Sequence, residues 1–211
     1  MRLFLIRHAQ AACNAQHLID SRPPGSPLTE LGQAQAEALA VRLGDQPIEA
    51  VWASDLVRAA QTAAPLARTL GLVPRLDPGL REIAAGDYEG ADDIASWSGY
   101  ATAVARWAQD PTARLPGGET GLEFFARYNA AMAQVAASGL ANVAVVSHGA
   151  AIGVWLTAVL GETLPVSKEQ VGLMANTAHV VLILADGRWR AERWTEDYLR
   201  LAGPPAAGTA V

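Results

Sequence analysis

Four side chains that can bind or attack a phosphate group each follow an apolar stretch of the sequence. They are Arg7, His8, Arg58 and His148. An arginine guanidinium makes charge-assisted, often bidentate hydrogen bonds to phosphate oxygens. A neutral imidazole can attack phosphorus directly and carry the phosphoryl group as a phosphohistidine. Phosphoryl transfer needs mainly positioning and charge stabilisation, so these residue types predict a site for phosphoryl chemistry.

The apolar stretches before these side chains are typical of strands buried on both faces of a sheet. They are Leu3–Ile6, Ile48–Ala53 and Asn142–Ser147. In an open α/β sheet the ligand binds beyond the carboxyl ends of parallel strands. We therefore expect the two arginines and two histidines to meet at one sheet edge. A carboxylic acid near this pocket is still needed to protonate the departing alkoxide.

Helix signals alternate with the strand signals. Thr29 and Ser54 are expected to cap helices over 29–43 and 54–70, and Thr120 with Glu123 fits a capping box for a helix ending near Gly139. A helix is also expected over 150–160, and a short strand over 72–76. The two-residue signal Asp186-Gly187 predicts a hairpin of 178–185 with 188–194.

This order predicts an α/β fold, a three-layer sandwich with a mostly parallel central sheet and one antiparallel edge strand. Residues 1–201 are expected to form a single domain. A small helical insert, about residues 83–118, is expected to act as a lid. The tail 202–211 is rich in alanine, glycine and proline and is expected to be disordered.

Composition excludes several functional classes. The chain has 211 residues and a net charge of −5, which argues against a general nucleic-acid binder because such domains are usually basic. A single cysteine excludes an intramolecular disulfide framework and any multi-cysteine zinc site. No apolar run approaches the roughly 20 residues that span a bilayer, so we expect a cytoplasmic protein.

The ordered motifs of the chain resemble those of the histidine phosphatase superfamily, also called the phosphoglycerate mutase-like family. The similarity extends from Leu3 to about Leu184. The matching segments are Arg7–Asn14, Pro27–Thr29, Ser54–Ala59, Gln61–Ala63, Leu80–Glu82, Gly86–Gly90, Pro116–Thr120, Ser147–Gly149 and Asn176–Ala178. A lone Arg-His pair is weak evidence, whereas this ordered set is specific.

The resemblance implies a role for each matching residue. His8 is expected to be the nucleophile that becomes phosphorylated, and Glu82 the acid that protonates the leaving group and then activates water. Arg7, Arg58 and His148 are expected to bind the phosphoryl oxygens, with help from Asn14. The resemblance implies no metal and no cofactor, because cationic side chains take that place.

Substrate recognition is expected to involve the insert. Gln10, Trp97 and Tyr100 are the candidates for lining a substrate lid. Ala9 replaces the family's usual glycine, which is tolerable if its φ is negative. The expected partner is a small phosphorylated metabolite, and an exposed edge strand would permit a homodimer.

The leading hypothesis is a phosphomonoester phosphatase of the histidine acid phosphatase type. The first competing function is a phosphoglycerate mutase, which must hold a second anionic group. The insert contains the acidic residues Asp87, Glu89, Asp92 and Asp93, and their charge disfavours such a substrate. The second is a non-catalytic module that binds a phosphorylated ligand or a partner, and the third is a protein phosphohistidine phosphatase.

Overall fold

The computed structural model describes residues 1–163 and 174–194, so the tail predicted over 202–211 lies outside the described residues. The strands are β1 (Arg2–Arg7), β2 (Ala50–Ala53), β3 (Arg75–Leu76), β4 (Asn142–Ser147), β5 (His179–Ala185) and β6 (Arg188–Trp194). The α-helices are α1 (Ala12–Ala15), α2 (Glu30–Leu43), α3 (Val57–Thr69), α4 (Ile94–Ala105), α5 (Gly121–Ala137) and α6 (Gly149–Leu160). Short 3₁₀ turns cover Pro78–Leu80, Gly86–Tyr88, Arg106–Ala108 and Gly161–Thr163.

The six described strands form one sheet in the order β3-β2-β4-β1-β5-β6. The first four strands in that order run parallel to one another. β5 runs antiparallel to β1, and β6 turns back against β5. The predicted α/β fold with a mostly parallel sheet is confirmed. The antiparallel strand predicted from the terminal hairpin is β5, and β6 lies outside it at the edge.

The sheet has an apolar cluster on each face, because alternate side chains of a strand point to opposite faces. Leu3 and Leu5 of β1 pack into the cluster that contains residues of α5 and α6. Phe4 and Ile6 pack into the cluster that contains residues of α2 and α3. Helices on both faces of the sheet give the three layers that were expected.

Local capping signals explain most helix boundaries. The side chain of Thr29 accepts a hydrogen bond from the Gly32 N–H at the start of α2, and Thr120 forms the predicted capping box with Glu123 at the start of α5. The prediction that Ser54 caps the next helix is wrong. α3 begins only at Val57 after an uncapped turn, and the Ser54 hydroxyl accepts a hydrogen bond from the Leu56 N–H instead.

The insert over 83–118 contains a 3₁₀ turn, α4 and a second 3₁₀ turn. Asp93 caps α4 by accepting a hydrogen bond from the Ser96 N–H. Trp107 lies in the 3₁₀ turn that follows α4 and is buried. Within the described residues, none of the helices has the length and apolar character needed to cross a membrane.

Candidate active site

The register of the parallel strands brings the predicted side chains to one edge of the sheet. Arg7, the last residue of β1, is paired with Ser147, the last residue of β4. The next residue on each strand is a histidine, and the ring centroids of His8 and His148 are 5.1 Å apart. Arg58 reaches the same place from the first turn of α3, and its Nε lies 3.1 Å from His8 Nε2.

Two hydrogen bonds fix the tautomer of His8. Its Nδ1 lies 2.7 Å from the backbone oxygen of Ala9, and this oxygen can only accept, so Nδ1 carries the proton. Its Nε2 receives the N–H of Arg58 Nε, which can only donate, so Nε2 presents a lone pair. The nitrogen that faces the arginine is therefore the nucleophilic one.

Both imidazoles are held neutral by their surroundings. Burial lowers the pKa of His8 well below its ordinary value, and the charges of Arg58 and Arg7 lower it further. The pKa of His148 is also lowered well below its ordinary value, first by burial and then by the charge of Arg58. A neutral His8 is the form that can attack phosphorus, because protonation would remove the lone pair.

Several polar atoms around the two imidazoles are buried and have no hydrogen-bond partner within the described residues. They are Arg7 Nε, Arg58 Nη1, and both ring nitrogens of His148. A buried polar group without a partner costs about 1–3 kcal/mol, and such groups are rare. Arg7 and Arg58 line one cavity of about 140 Å³ together with His8. His148 is not among its lining residues and lies buried behind it, with its ring centroid 5.1 Å from that of His8. These unpartnered donors indicate a polar ligand that accepts several hydrogen bonds.

Glu82 lies at the wall of this cavity, where its carboxylate is held by backbone N–H groups. Oε1 accepts from Ala151 at 2.8 Å and from Ile83 at 2.9 Å, and Oε2 accepts from Ala150 at 3.1 Å. Two of these donors belong to the first turn of α6. Glu82 thus supplies the acceptor that a capping side chain would otherwise give the helix.

Asn14 lines the cavity as expected, although its carbonyl is already engaged. Oδ1 accepts the Ala11 N–H at 3.0 Å and the side-chain amide of Asn176 at 3.3 Å. Within the described part of the chain its Nδ2 makes no hydrogen bond, so this N–H₂ is the group left for a ligand. The same amide of Asn176 also donates to the backbone oxygen of His8 at 3.0 Å, a positioning role that the sequence motif alone did not indicate.

Of the three lid candidates, two line the cavity. Trp97 is 40% exposed and donates through Nε1 to the His17 oxygen, while Tyr100 is buried beneath it. Gln10 is not among the lining residues, because its side-chain oxygen accepts a hydrogen bond from the Thr29 hydroxyl at 2.8 Å. Gln10 therefore connects the segment after His8 to the start of α2, and its role in a substrate lid stays a prediction.

The alanine that replaces the usual glycine after the histidine fits without strain. Ala9 is buried and is not among the described residues with positive φ. Its N–H donates to the Thr62 hydroxyl at 2.9 Å, which holds the segment against α3. The extra methyl group is therefore tolerated at this position.

A second and larger cavity, of about 430 Å³, shares Ser21 and Glu82 with the first. Its wall includes three arginines, Arg22, Arg81 and Arg127. The acidic residues of the insert named above, Asp87, Glu89, Asp92 and Asp93, line neither cavity. The Glu89 carboxylate nevertheless accepts the backbone N–H groups of Ser21 and Arg22, two residues that line the larger cavity. The expectation that this charge disfavours a second anionic group stays a prediction.

One charged residue of the smaller cavity was missed from the sequence. Asp20 lines this cavity beside Arg58, although no motif indicated it. Cys13 also lines it as a buried thiol whose pKa is raised by burial. Among the described residues, no group of three or more His, Cys, Asp or Glu side chains is arranged to hold a metal ion.

Comparison with known proteins finds one family over most of the chain. The model of the histidine phosphatase superfamily (branch 1) matches residues 3–197. A probable phosphoglycerate mutase of Yersinia pestis is 32% identical over 197 residues, which cover 92% of this chain and 90% of that protein. A stretch of 90 residues, 42% of this chain, is 48% identical to a PE-PGRS family protein of Mycobacterium tuberculosis and spans only 15% of that protein.

Among solved structures, a mycobacterial glucosyl-3-phosphoglycerate phosphatase is similar to this chain with a TM-score of 0.76 and 33% identity. The match covers 92% of this chain and 98% of the other. A phosphoglycerate mutase from Bacillus anthracis has a TM-score of 0.74 at 22% identity, which is a likeness of fold.

Proposed function

Because this chain belongs to the histidine phosphatase superfamily (branch 1), we propose that it is a metal-independent phosphatase that hydrolyses a small phosphomonoester through a phosphohistidine on His8. One observation carries the proposal. Arg7 and Arg58, each with an unpartnered buried nitrogen, line the same cavity as His8, and the unpartnered imidazole of His148 lies 5.1 Å from the His8 ring. A phosphoryl group offers the oxygens that these atoms lack.

Binding of the phosphoryl group exchanges one hydrogen bond for others. In the structure the Nε–H of Arg58 donates to His8 Nε2, so the lone pair is engaged. A phosphoryl oxygen accepts hydrogen bonds from Arg58 and Arg7 more strongly than a neutral imidazole does, because it is charged. The lone pair of Nε2 is then free to face phosphorus.

The first chemical step forms a bond from His8 Nε2 to phosphorus and breaks the bond from phosphorus to the leaving oxygen. A protonated Glu82 gives its proton to that oxygen, so the leaving group departs as an alcohol. Glu82 lies on the wall that the two cavities share. The leaving group therefore extends into the cavity of about 430 Å³ while the phosphoryl group stays beside His8.

The second step releases phosphate. The carboxylate of Glu82 takes a proton from a water molecule, whose oxygen bonds to phosphorus as the N–P bond breaks. Glu82 is then protonated again and His8 regains its lone pair, so the site returns to its starting state. Arg7, Arg58 and His148 stabilise the charge on the phosphoryl oxygens throughout.

The test is turnover of a generic aryl phosphate in the presence of a chelator. We expect wild-type protein to release phosphate, and we expect rapid quenching to trap an acid-labile phosphoenzyme. His8→Ala is expected to lose both signals, because no other described imidazole presents a lone pair to the same cavity with Arg58 beside it. His17→Ala, at an exposed histidine, is the matched control and should retain both. Full activity in His8→Ala would show the nucleophile assignment to be wrong.

A mutase is the second candidate, and two observations favour keeping it. The Yersinia relative is named a probable phosphoglycerate mutase. The larger cavity also contains the exposed side chain of Arg22, which pairs with no carboxylate within the described residues. Such a guanidinium suits a second anionic group on the substrate.

Incubation with 3-phosphoglycerate distinguishes the two reactions. A phosphatase releases inorganic phosphate and glycerate, whereas a mutase produces the 2-phospho isomer without net phosphate release. We expect release of phosphate to dominate. Isomer formation faster than phosphate release would assign the mutase reaction instead.

A further inference from the structure

An acidic side chain lies inside the cavity that would hold the phosphoryl group. Asp20 lines this cavity with Arg7, His8 and Arg58, and its side chain is only 14% exposed. A carboxylate near a phosphate dianion opposes binding, since like charges repel in a site with little water. Its presence in an anion site therefore calls for a physical explanation.

The contacts of Asp20 with Arg58 leave one nitrogen of the guanidinium unengaged. The backbone oxygen of Asp20 accepts from Arg58 Nη2 at 2.8 Å. Its carboxylate Oδ1 lies 3.7 Å from Nη1, which is too long for a hydrogen bond. Asp20 thus fixes the orientation of the guanidinium and balances its charge, while Nη1 keeps its hydrogen atoms for a ligand.

The segment around Asp20 holds this arrangement in place. Oδ2 accepts the N–H of Ser26 at 2.7 Å. This hydrogen bond joins the two ends of the turn over 20–26 and holds the carboxylate in place. Gly25 lies between them with a φ of +73°, and a Cβ there would come within 2.6 Å of Arg58 Nη1. The backbone passes this close to the guanidinium because the residue is glycine.

The charges on the cavity wall cancel before a substrate enters. Two guanidiniums, from Arg7 and Arg58, face two carboxylates, from Asp20 and Glu82, among the described residues. When Glu82 is protonated for the first chemical step, Asp20 is the carboxylate that remains charged. It then lies beside the phosphoryl group during attack and beside inorganic phosphate at the end of the cycle.

We propose that Asp20 is a positioning residue that orients Arg58 for the phosphoryl group and whose charge promotes release of the phosphate product. This inference rests on the proposed phosphatase function. Orientation favours the reacting phosphoryl group, and the negative charge raises the free energy of every phosphate dianion left in the cavity. A hydrolase that must empty its site after each cycle gains turnover from this balance.

The experiment measures the dissociation constant of inorganic phosphate by calorimetry and its inhibition constant against an aryl phosphate. Asp20→Asn keeps the size of the side chain and an acceptor for the Ser26 N–H but removes the charge. We expect phosphate to bind at least about tenfold more tightly to this variant, with a lower KM and a lower kcat. A purely structural role for Asp20 would give the opposite sign, because a disturbed Arg58 binds phosphate less well.

Three further variants complete the test. Asp20→Ser, a second uncharged variant, is expected to tighten phosphate binding as well. Asp20→Glu keeps the charge and is expected not to tighten it. Asp45→Asn makes the same charge change at an exposed position beyond the far end of α2 and should leave the phosphate constant unchanged.

The possible failures are distinguishable. Wild-type protein that neither binds phosphate nor hydrolyses the aryl ester would overturn the proposed function. Wild-type turnover together with unchanged or weaker phosphate binding in both uncharged variants would overturn the role of Asp20 alone.

Discussion

At the scale of single residues, the reactivity of His8 is set by its neighbours. The Ala9 carbonyl fixes its tautomer, and burial together with the charges of Arg58 and Arg7 lowers its pKa and keeps it uncharged. None of this requires an unusual backbone, because the whole arrangement follows from where β1 ends. The same ring at an exposed position would be partly protonated near neutral pH.

The pH dependence of activity follows from these neighbours. Burial and the charges of Arg58 and Arg7 lower the pKa of His8, so the nucleophile stays unprotonated in mildly acidic buffer. We expect kcat/KM for an aryl phosphate to be retained or to rise from pH 7.5 to pH 5.5. The measurement is a steady-state pH profile. A decline that follows a group titrating near the usual histidine value of about 6.5 would contradict it.

Glu82 is the residue whose role is tested by a single amide substitution. Glu82→Gln keeps one acceptor oxygen for the N–H groups that Oε1 now receives from Ala151 and Ile83, but it has no acidic proton to give. We expect phosphate binding to persist and kcat to fall by roughly 10²–10⁴-fold, the usual range for acid–base catalysis. Asp87→Asn is the control, because Asp87 is close in sequence yet lies outside both cavities. Equal losses in the two variants would remove the distinction between them.

Residue types at strand ends could be predicted from sequence because the chemistry of arginine and histidine is visible there. The place of Asp20 in the cavity could not be predicted, since it depends on a turn that folds back over Arg58. The hydrogen-bond partner of Gln10 could not be predicted for a similar reason. A long polar side chain next to the nucleophile was expected to face the ligand, but the Thr29 hydroxyl offered it a nearer partner.

At the scale of elements, boundaries with a local chemical signal were predicted well. Asp186 and Gly187 both adopt positive φ, as a two-residue hairpin turn requires, and the strands on either side follow closely. The start of α3 was placed too early because the Ser54 hydroxyl accepts the Leu56 N–H of the preceding turn and does not cap the helix. Tertiary contacts decide there, since the Val57 N–H donates to the Pro24 oxygen of a distant segment.

The capping box of α5 gives a prediction about stability. Thr120 accepts from the Glu123 N–H at 3.1 Å, and the Glu123 carboxylate accepts from the Thr120 N–H at 2.9 Å. Thr120→Ala should lower the free energy of unfolding by about 1 kcal/mol. Urea unfolding followed by tryptophan fluorescence measures this. Thr120→Ser keeps the hydroxyl and should lie within about 0.5 kcal/mol of wild type, and a loss as large as that of alanine would argue against the cap.

At the scale of the whole molecule, the buried imidazoles couple stability to pH. Folding lowers the pKa of both His8 and His148, so the unfolded chain binds protons that the folded chain does not. The free energy of unfolding is therefore expected to fall as pH drops below about 6.5, by up to about 1.4 kcal/mol per pH unit for each ring. Urea titrations at pH 7.5 and 5.5 measure the change. His148→Gln should reduce the slope, and an unaltered slope would exclude His148 as a contributor.

The order of strands in the sheet has a consequence for synthesis of the protein. β1 is made first, yet its two neighbours are β4 and β5, where Arg2 pairs with Asn142 and with Ile183. The first of these partners is complete only at Ser147 and the second only at Ala185. The two imidazoles can therefore meet only after translation has passed His148, and β1 obtains both of its neighbours only after about 180 residues have been made.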